Sequence, residues 1–245
     1  MAALNWCLAF PYCPNEPIRA KAFAVIEAYY TKHFPSVPHY TYSASPVGEP
    51  FNRAATRNGL VRIAEKHGHD IVCLIDADTL IHHDEITRML EWVAADTMRL
   101  GKPFMRGVNL PLADQQRLAN GEVPWPYAKF NDPGAAWIVR PADWWTAGGM
   151  DENFRTWGGE DSAFSYLFEA LGGTANYGTH AAVKTEHEQP RWGAIPGWHA
   201  TLRRELVTKH IWQHPHLAAE WLTVRDQPGV VEQWVKTHGI PMRRR

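Results

Sequence analysis

Cysteine is scarce in this chain of 245 residues, and the few that occur form no recognisable metal or disulfide pattern. The three are Cys7, Cys13 and Cys73, with no Cys-x-x-Cys pair among them. A sparse, odd count is typical of proteins in a reducing compartment, so a Cys7–Cys13 disulfide is disfavoured. We therefore expect a cytoplasmic protein with free thiols.

Long apolar runs, a charged leader and an excess of charge are also missing. The first residues lack the basic start and apolar stretch of a signal peptide, and no window contains the roughly 18 uninterrupted apolar residues of a membrane span. We expect no membrane span. The 25 basic and 26 acidic side chains give a net charge of -1. This balance argues against a nucleic-acid coat or a polybasic membrane binder, and it leaves room for a local basic patch.

Composition and periodicity together indicate a globular α/β domain. Apolar residues make up 45% of the chain and charged residues 21%, as in an ordinary globular protein. We predict strands over residues 4–10, 37–42 and 70–75, separated by helices that begin near residue 18, cover 52–67 and continue through 86–94. This alternation favours a mostly parallel sheet flanked by helices. The apolar run that ends at Ile75 is typical of a strand buried on both faces.

The second half of the chain is less regular. We predict strands over 103–110 and 135–139, helices over 142–147 and 160–171, and two short helices beyond Gly197. Ten of the twelve tryptophans follow residue 124. A tryptophan offers a flat apolar face and one N–H donor, which suits either a sugar ring or a packed core.

Two carboxylates, Asp76 and Asp78, follow the buried strand directly. In an extended chain, residues two apart point to the same side, and ligands of open α/β sheets bind at the carboxyl ends of the strands. Carboxylate oxygens there would suit Mg²⁺ or Mn²⁺, which in turn would hold a diphosphate. The alternative is a solvated loop in which Asp84 caps the next helix.

A second candidate site is Trp157-Gly158-Gly159-Glu160-Asp161. Paired glycines let the backbone approach a ligand closely, and the helix that follows would stabilise both acids as carboxylates, one of which could accept a proton. Trp157 would offer a platform for a sugar. The alternative is an ordinary helix start with acidic residues in its first turn.

Four short motifs share an order and spacing with a known group of enzymes. They are Phe51-Asn52-Arg53-Ala54, Ile75-Asp76-Ala77-Asp78, Gly148-Gly149-Met150-Asp151-Glu152 and Trp157-Gly158-Gly159-Glu160-Asp161. From about residue 5 to 190 the chain resembles the GT-A glycosyltransferases. The likeness is strongest to the catalytic region of the β-1,4-galactosyltransferase family and to bacterial and phage family-2-like transferases. This resemblance implies an α/β fold of the GT-A type: a Rossmann-like sheet, a less regular acceptor half and short C-terminal helices.

The resemblance also implies roles for individual residues. Pro11, Tyr12, Phe51, Arg53 and Asp76 would bind the nucleotide-sugar donor, a UDP-sugar. Asp76, Asp78 and His187 would hold Mn²⁺ or Mg²⁺, with Asp78 the direct ligand. Trp157, Gly158, Gly159 and Glu160 would bind the acceptor, and Asp161, with Glu160 beside it, would act as the catalytic base.

The chain departs from the galactosyltransferase pattern at two places. Lys184 stands where that family has a methionine, and a lysine is a better partner for phosphate than for a metal. Cys13 and Pro14 replace arginines that follow the first strand, and Arg19 is the basic residue that could substitute for them.

The resemblance divides the chain into a transferase domain over residues 1–200 and a C-terminal helical extension over 201–245. Within the domain, about 1–110 would bind the nucleotide-sugar and 111–200 would hold the acceptor. The acceptor could be a glycan, a protein or a modified nucleic-acid base. Inversion is the expected outcome, although retaining relatives use a similar loop.

Two other functions stay open at this point. A sugar-nucleotidyltransferase would use the same carboxylates at a strand end, but it would need a Gly-rich basic loop near the N-terminus, and residues 9–12 do not form one. An inactive GT-A module that binds carbohydrate or nucleic acid would have no need of Asp76, Asp78 and Asp161.

Histidine is frequent, with 13 in the chain. His82 and His83 follow the Asp-x-Asp motif and are predicted to be loop residues. His210 and His214 are four apart and could form a metal-binding helix face, but no acidic partner is evident beside them.

Overall fold

A central six-stranded sheet organises the chain, in the strand order β2-β1-β3-β7-β5-β8. The protein is described by a computed structural model that covers residues 4–13, 17–46, 49–126, 134–154, 158–185 and 198–240. The strands of this sheet are β1 (Trp6–Pro11), β2 (His39–Tyr42), β3 (Ile71–Ile75), β5 (Arg99–Lys102), β7 (Ala136–Val139) and β8 (Thr174–Tyr177).

Strand direction follows the sequence prediction except at β7. Strand β1 pairs in parallel with β2 and β3, and β5 pairs in parallel with β8. Strand β7 lies antiparallel between β3 and β5. Every residue of β7 is buried, and a short apolar run indicates burial without indicating direction.

A smaller three-stranded sheet lies beside the central one. It consists of β4 (Thr79–Leu80), β9 (Ala182–Thr185) and β6 (Gly107–Leu110), with β9 in the middle. The single strand predicted over 103–110 is therefore wrong, because β5 ends at Lys102 and β6 begins at Gly107. Pro103 follows β5, and a proline cannot donate a hydrogen bond to a neighbouring strand.

Helices cover both faces of the central sheet. They are α1 (Pro17–His33), α2 (Arg53–Lys66), α3 (His83–Ala94), α4 (Leu112–Ala119), α5 (Pro141–Thr146) and α6 (Glu160–Ala170). Alternate residues of the strands face opposite layers: Leu8 and Cys73 belong to one apolar core, whereas Cys7 and Val72 belong to the other. Helices α1 and α3 contribute to the first core, and α2, α5 and α6 contribute to the second.

The C-terminal part contains α7 (Trp198–Gln213), a 3-10 turn (Pro215–Leu217), α8 (Ala218–Val224) and α9 (Pro228–Thr237). The prediction of two short helices is therefore wrong. Leu167 of α6 shares a third apolar core with side chains of all three helices, among them Val207, Trp221 and Trp234. These helices consequently pack on the element that carries Glu160 and Asp161.

All three cysteines are free. No helix among the described residues combines the length and the apolar composition that crossing a membrane requires.

Candidate active site

A small open cleft lies where β1 and β3 end. These neighbouring strands run in parallel, so Pro11 at the end of β1 and the Asp-x-Asp motif after β3 reach the same edge of the sheet. Nine residues line the cleft: Pro11, Tyr12, Cys13, Arg19, Phe51, Arg53, Asp76, Ala77 and Asp78. Every described residue that the resemblance assigns to the donor or the metal is among them, together with Arg19.

Asp76 is held by cations on the inner wall of the cleft. Its Oδ1 accepts a hydrogen bond of 2.6 Å from Arg57 Nη2, and its backbone N–H donates to the carbonyl of Ala135 at 2.9 Å. Burial would raise the pKa of this carboxyl, but the charges of Arg57, Arg53 and Lys184 outweigh burial and lower it. Asp76 is therefore a carboxylate at neutral pH.

Asp78 is anchored through its backbone, and its side chain is half-buried in the cleft wall. Its carbonyl accepts hydrogen bonds from Thr185 N at 3.0 Å and from Gln115 Nε2 at 3.2 Å. Its Oδ1 accepts from Thr79 Oγ1 at 3.1 Å. Strand β9 thus fixes the position of Asp78, and Lys184 in that strand pairs in register with Thr79.

Arg57, which sequence analysis missed, joins the two acidic motifs. Its side chain is fully buried, and its Nη1 donates to Glu160 Oε1 at 3.0 Å while Nη2 donates to Asp76. The guanidinium also lies 4.4 Å from the ring centroid of Trp137 and donates to the carbonyl of Gly134 at 3.1 Å. Burial alone would lower the pKa of Arg57. The negative charges of Asp76 and Glu160 raise that pKa by more than burial lowers it, so the guanidinium stays positively charged.

Helix α2 positions Arg57 and Arg53 one turn apart. Asn52 caps this helix, since its side chain accepts a hydrogen bond from Ala55 N at 3.0 Å. Residues four apart lie on one helix face, so Arg53 reaches the cleft while Arg57 points beneath it. Arg57 could have been predicted from this spacing, because it follows Arg53 of the motif Phe51-Asn52-Arg53-Ala54 by four residues.

Gly158 and Gly159 shape the loop before α6. Both have a positive φ, 96° and 90°, which a residue with a side chain adopts at a cost. The helix begins at Glu160, whose side chain is 2% exposed and whose Oε1 also lies 3.9 Å from Arg53 Nη1. Glu160 therefore faces the interior, towards the arginines.

Asp161, by contrast, is half-buried. Its Oδ1 accepts a hydrogen bond from Ser162 N at 2.7 Å, and a Cβ at residue 134 would overlap its carboxylate. Gly134 therefore leaves the room that Asp161 occupies. Since the carbonyl of Gly134 also accepts from Arg57, Asp161 lies next to the Arg57 network.

The motif Gly148–Glu152 is held between α2 and the C-terminal helices. Asn58 of α2 donates to Met150 O at 2.8 Å and accepts from Met150 N at 3.0 Å. From the C-terminal helices, Arg204 pairs with Asp151, and Arg225 donates to the carbonyls of Gly148 and Gly149. The C-terminal helices thus help to fix the frame of the site.

Trp157 and His187, which the resemblance assigns to acceptor and metal, lie outside the described residues. Two residues before His187, Thr185 donates to the carbonyl of Asp78. The roles of Trp157 and His187 stay predictions.

Comparison with known proteins bears on the fold. No family model matches the sequence, and no curated protein matches it either. Among solved structures, the chain is similar to GalNAc-T7 with UDP, GalNAc and Mn²⁺, with a TM-score of 0.52, 11% identity, and coverage of 97% of this chain and 55% of that one. The chain has a GT-A glycosyltransferase fold. The fold class and the GT-A resemblance predicted from the sequence are thereby confirmed.

Two further structures belong to the Drosophila beta1,4galactosyltransferase 7. Its catalytic domain in complex with xylobiose gives a TM-score of 0.49 and 18% identity, over 71% of this chain and 65% of that one. A mutant in complex with manganese, UDP-Gal and xylobiose gives 0.48 and 18%, again over 71% and 65%. The chain thus spans less than two thirds of each structure that it resembles here.

Proposed function

We propose that the protein is a metal-dependent glycosyltransferase that moves a sugar from a UDP-sugar to an acceptor hydroxyl with inversion. The observation that carries the proposal is the junction made by Arg57. It connects a cleft lined by carboxylates and arginines to the first turn of α6, which carries Asp161. A donor bound in the cleft and an acceptor bound beside Asp161 would meet next to Arg57.

The cleft has the groups that a nucleotide diphosphate requires. Tyr12 is stacked on Phe23, with ring centroids 4.6 Å apart and an interplanar angle of 24°, so its ring has a fixed position for contact with the nucleoside. Arg19 and Arg53 bring two positive charges to the same cleft, where they would bind phosphate oxygens. Lys184 acts on Asp76 electrostatically, so its charge would also favour the diphosphate.

The carboxylates at the cleft edge suit Mn²⁺ or Mg²⁺, because both ions prefer oxygen ligands. Arg57 occupies Oδ1 of Asp76, so we assign Asp78 as the direct ligand, with Asp76 and His187 completing the set. When bound, the cation would neutralise charge on the departing diphosphate.

Asp161 is the proposed general base. Asp161 lies in the N-terminal turn of α6, where the helix dipole stabilises a negatively charged carboxylate. Only this deprotonated form can accept a proton. Asp161 would take the proton of the acceptor hydroxyl while that oxygen forms a bond to the anomeric carbon. The bond from that carbon to the diphosphate breaks on the opposite face, and the electron pair leaves with the diphosphate.

Glu160 has a supporting part in this proposal. Because its side chain is buried against Arg57 and Arg53, it would hold the arginines in place. Trp157, Gly158 and Gly159 would form the acceptor side of the site. We also propose a cytoplasmic location, which the three free cysteines favour.

A donor screen tests the proposed function. The purified chain is incubated with Mn²⁺ and a series of nucleotide-sugars, with and without hydroxyl-bearing acceptors, and the released nucleotide is identified. We expect release of a nucleoside diphosphate that Asp78→Asn abolishes and Asp114→Asn does not; Asp114 lies in α4, and its side chain is 48% exposed. Release of pyrophosphate would instead favour a nucleotidyltransferase, and absence of turnover with every acceptor class would favour an inactive binding module.

A further inference from the structure

Four histidines form one row outside the cleft. His33 stacks on His83, His83 on His82 and His82 on His180, with ring centroids 3.9, 4.7 and 4.5 Å apart and interplanar angles of 17°, 20° and 14°. His33 ends α1, His82 and His83 begin α3, and His180 precedes β9. Three segments that are distant in sequence therefore meet at this row, and none of its members lines the donor cleft.

Asp84 adds a carboxylate to the row. Its Oδ1 lies 3.3 Å from His83 Nε2, and its Oδ2 lies 3.7 Å from His82 Nδ1. One ligand atom from each of these three residues lies within 4.8 Å of the other two. Ligands of a tetrahedral zinc ion, with bonds of about 2.0 Å, are roughly 3.3 Å apart. His82 Nδ1 now accepts a hydrogen bond of 3.3 Å from Asp84 N, and the rings of His82 and His83 are stacked at 20°. A metal lies in the plane of each imidazole that binds it, so the His82 ring would turn out of the stack for the three side chains to share one ion.

Neighbouring groups orient the histidine rings. Tyr29 Oη lies 3.2 Å from His83 Nδ1, on the side away from the Nε2 that faces Asp84. Nδ1 of His180 lies 2.7 Å from Oε1 of the buried Glu85. Metal-binding histidines commonly have their second ring nitrogen bonded in this way, because the bond fixes the tautomer and the orientation of the ring. His180, with its Nδ1 bound by Glu85, is accordingly the candidate for a fourth ligand.

The start of α3 also bears on the charge at this site. The positive end of the helix disfavours a cation, but Asp84 and Glu85 place two carboxyl groups in its first turn.

We propose that His82, His83 and Asp84 form a binding site for Zn²⁺, with His180 as the fourth ligand. Two imidazoles and one carboxylate select zinc over Mn²⁺, which prefers an all-oxygen set such as Asp76 and Asp78. Bound zinc would link the start of α3 to the turn that leads into β9. The site is separate from the proposed transferase chemistry and does not depend on it.

Titration of the metal-free full chain with ZnCl₂ in excess Mn²⁺ tests the site by calorimetry. We expect one zinc per chain and a rise in melting temperature. His83→Gln and Asp84→Asn should each weaken binding by at least about 10-fold, since even the loss of an outer partner costs roughly 10–100-fold. His82→Asn removes a ligand while it keeps a residue type that caps helices well, and Tyr29→Phe should weaken binding by about 10-fold.

Two control variants distinguish this site from the histidine pair on α7 and from the proposed metal site in the cleft. The double variant His210→Gln/His214→Gln removes a pair of rings on α7 that lie 4.4 Å apart, and Asp78→Asn removes the proposed donor-site ligand. Both should bind zinc like the unaltered chain. Co²⁺ in place of zinc should give visible absorption typical of a four-coordinate ion, lost in His83→Gln. The proposal is overturned if the row variants, verified as folded by circular dichroism, bind zinc normally, or if either control abolishes binding.

Discussion

The two acidic motifs of the site each have one carboxylate bound by Arg57 and one that Arg57 does not bind directly. Asp76 and Glu160 are both bound by the buried guanidinium of Arg57. Asp78 and Asp161 are half-buried, and neither forms a direct ion pair with Arg57. Through Arg57, the inner pair of Asp76 and Glu160 joins the cleft to the start of α6. In the outer pair, Asp78 lines the cleft, and Asp161 is proposed to face the acceptor. Removal of an inner group should therefore change stability first, whereas removal of an outer group should change ligand binding or turnover and leave stability unchanged.

The largest effect is expected at the outer pair. Asp161→Asn should lower sugar transfer by roughly 10²–10⁴-fold, the usual contribution of a general base. UDP binding and melting temperature should stay unchanged, because the amide has the size of the carboxylate. Steady-state kinetics and calorimetry measure the two properties on one sample. Transfer at the normal rate would remove Asp161 from the mechanism.

The inner pair is tested through Arg57. Arg57→Met should reduce the free energy of unfolding by about 3–5 kcal/mol, because it leaves the buried Glu160 and the largely buried Asp76 without their shared partner. Arg62→Met on the same helix is the matched control: Arg62 is 59% exposed and pairs with Glu152 at 3.4 Å. An exposed pair contributes about 0–1 kcal/mol. Equal losses in urea unfolding of the two variants would contradict the division between inner and outer groups.

Lys184 tests whether a positive charge beside the cleft contributes to UDP binding. Lys184→Met should weaken UDP binding by about 10-fold, or about 1.4 kcal/mol, because a positive charge near the diphosphate is lost. Lys209→Met, on the exposed surface of α7, should have no effect. A Lys184→Met variant that binds UDP as tightly as the unaltered chain would show that this charge does not reach the donor.

The smallest expected effect is a dependence of stability on pH. The pKa of Asp76 is lowered in the folded chain, so the carboxylate stabilises the fold above its unfolded pKa of about 3.9. That contribution is lost as the pH falls through the lowered folded value. Urea unfolding of the chain and of Asp76→Asn should therefore show a difference that is constant near neutral pH and shrinks in acid. A difference that grows in acid would contradict the ion pair with Arg57.

Residues at the ends of predicted strands were the ones that sequence could locate. Pro11, Asp76 and Asp78 follow apolar runs that indicate buried strands, and the parallel order brings those ends together. The alternation of Cys7, Leu8, Val72 and Cys73 between two cores follows equally from strand geometry.

Features set by tertiary contacts could not be predicted in the same way. Arg57 has the sequence context of an ordinary helix arginine, and only the folded chain shows that Asp76 and Glu160 meet it. The direction of β7 and the third C-terminal helix were missed because short apolar runs carry little information about direction or element number. The histidine row joins residues 33, 82, 83 and 180, so no local pattern predicts it.

The central claim is that Asp78 couples a cation to donor binding, and calorimetric titration with UDP tests it without knowledge of the acceptor. The unaltered chain should bind UDP at least about 10-fold more tightly with Mn²⁺ than without it, or about 1.4 kcal/mol. Asp78→Asn should bind UDP equally in both conditions. The claim would be contradicted if UDP bound the unaltered chain equally with and without Mn²⁺, or if Asp78→Asn kept the full gain.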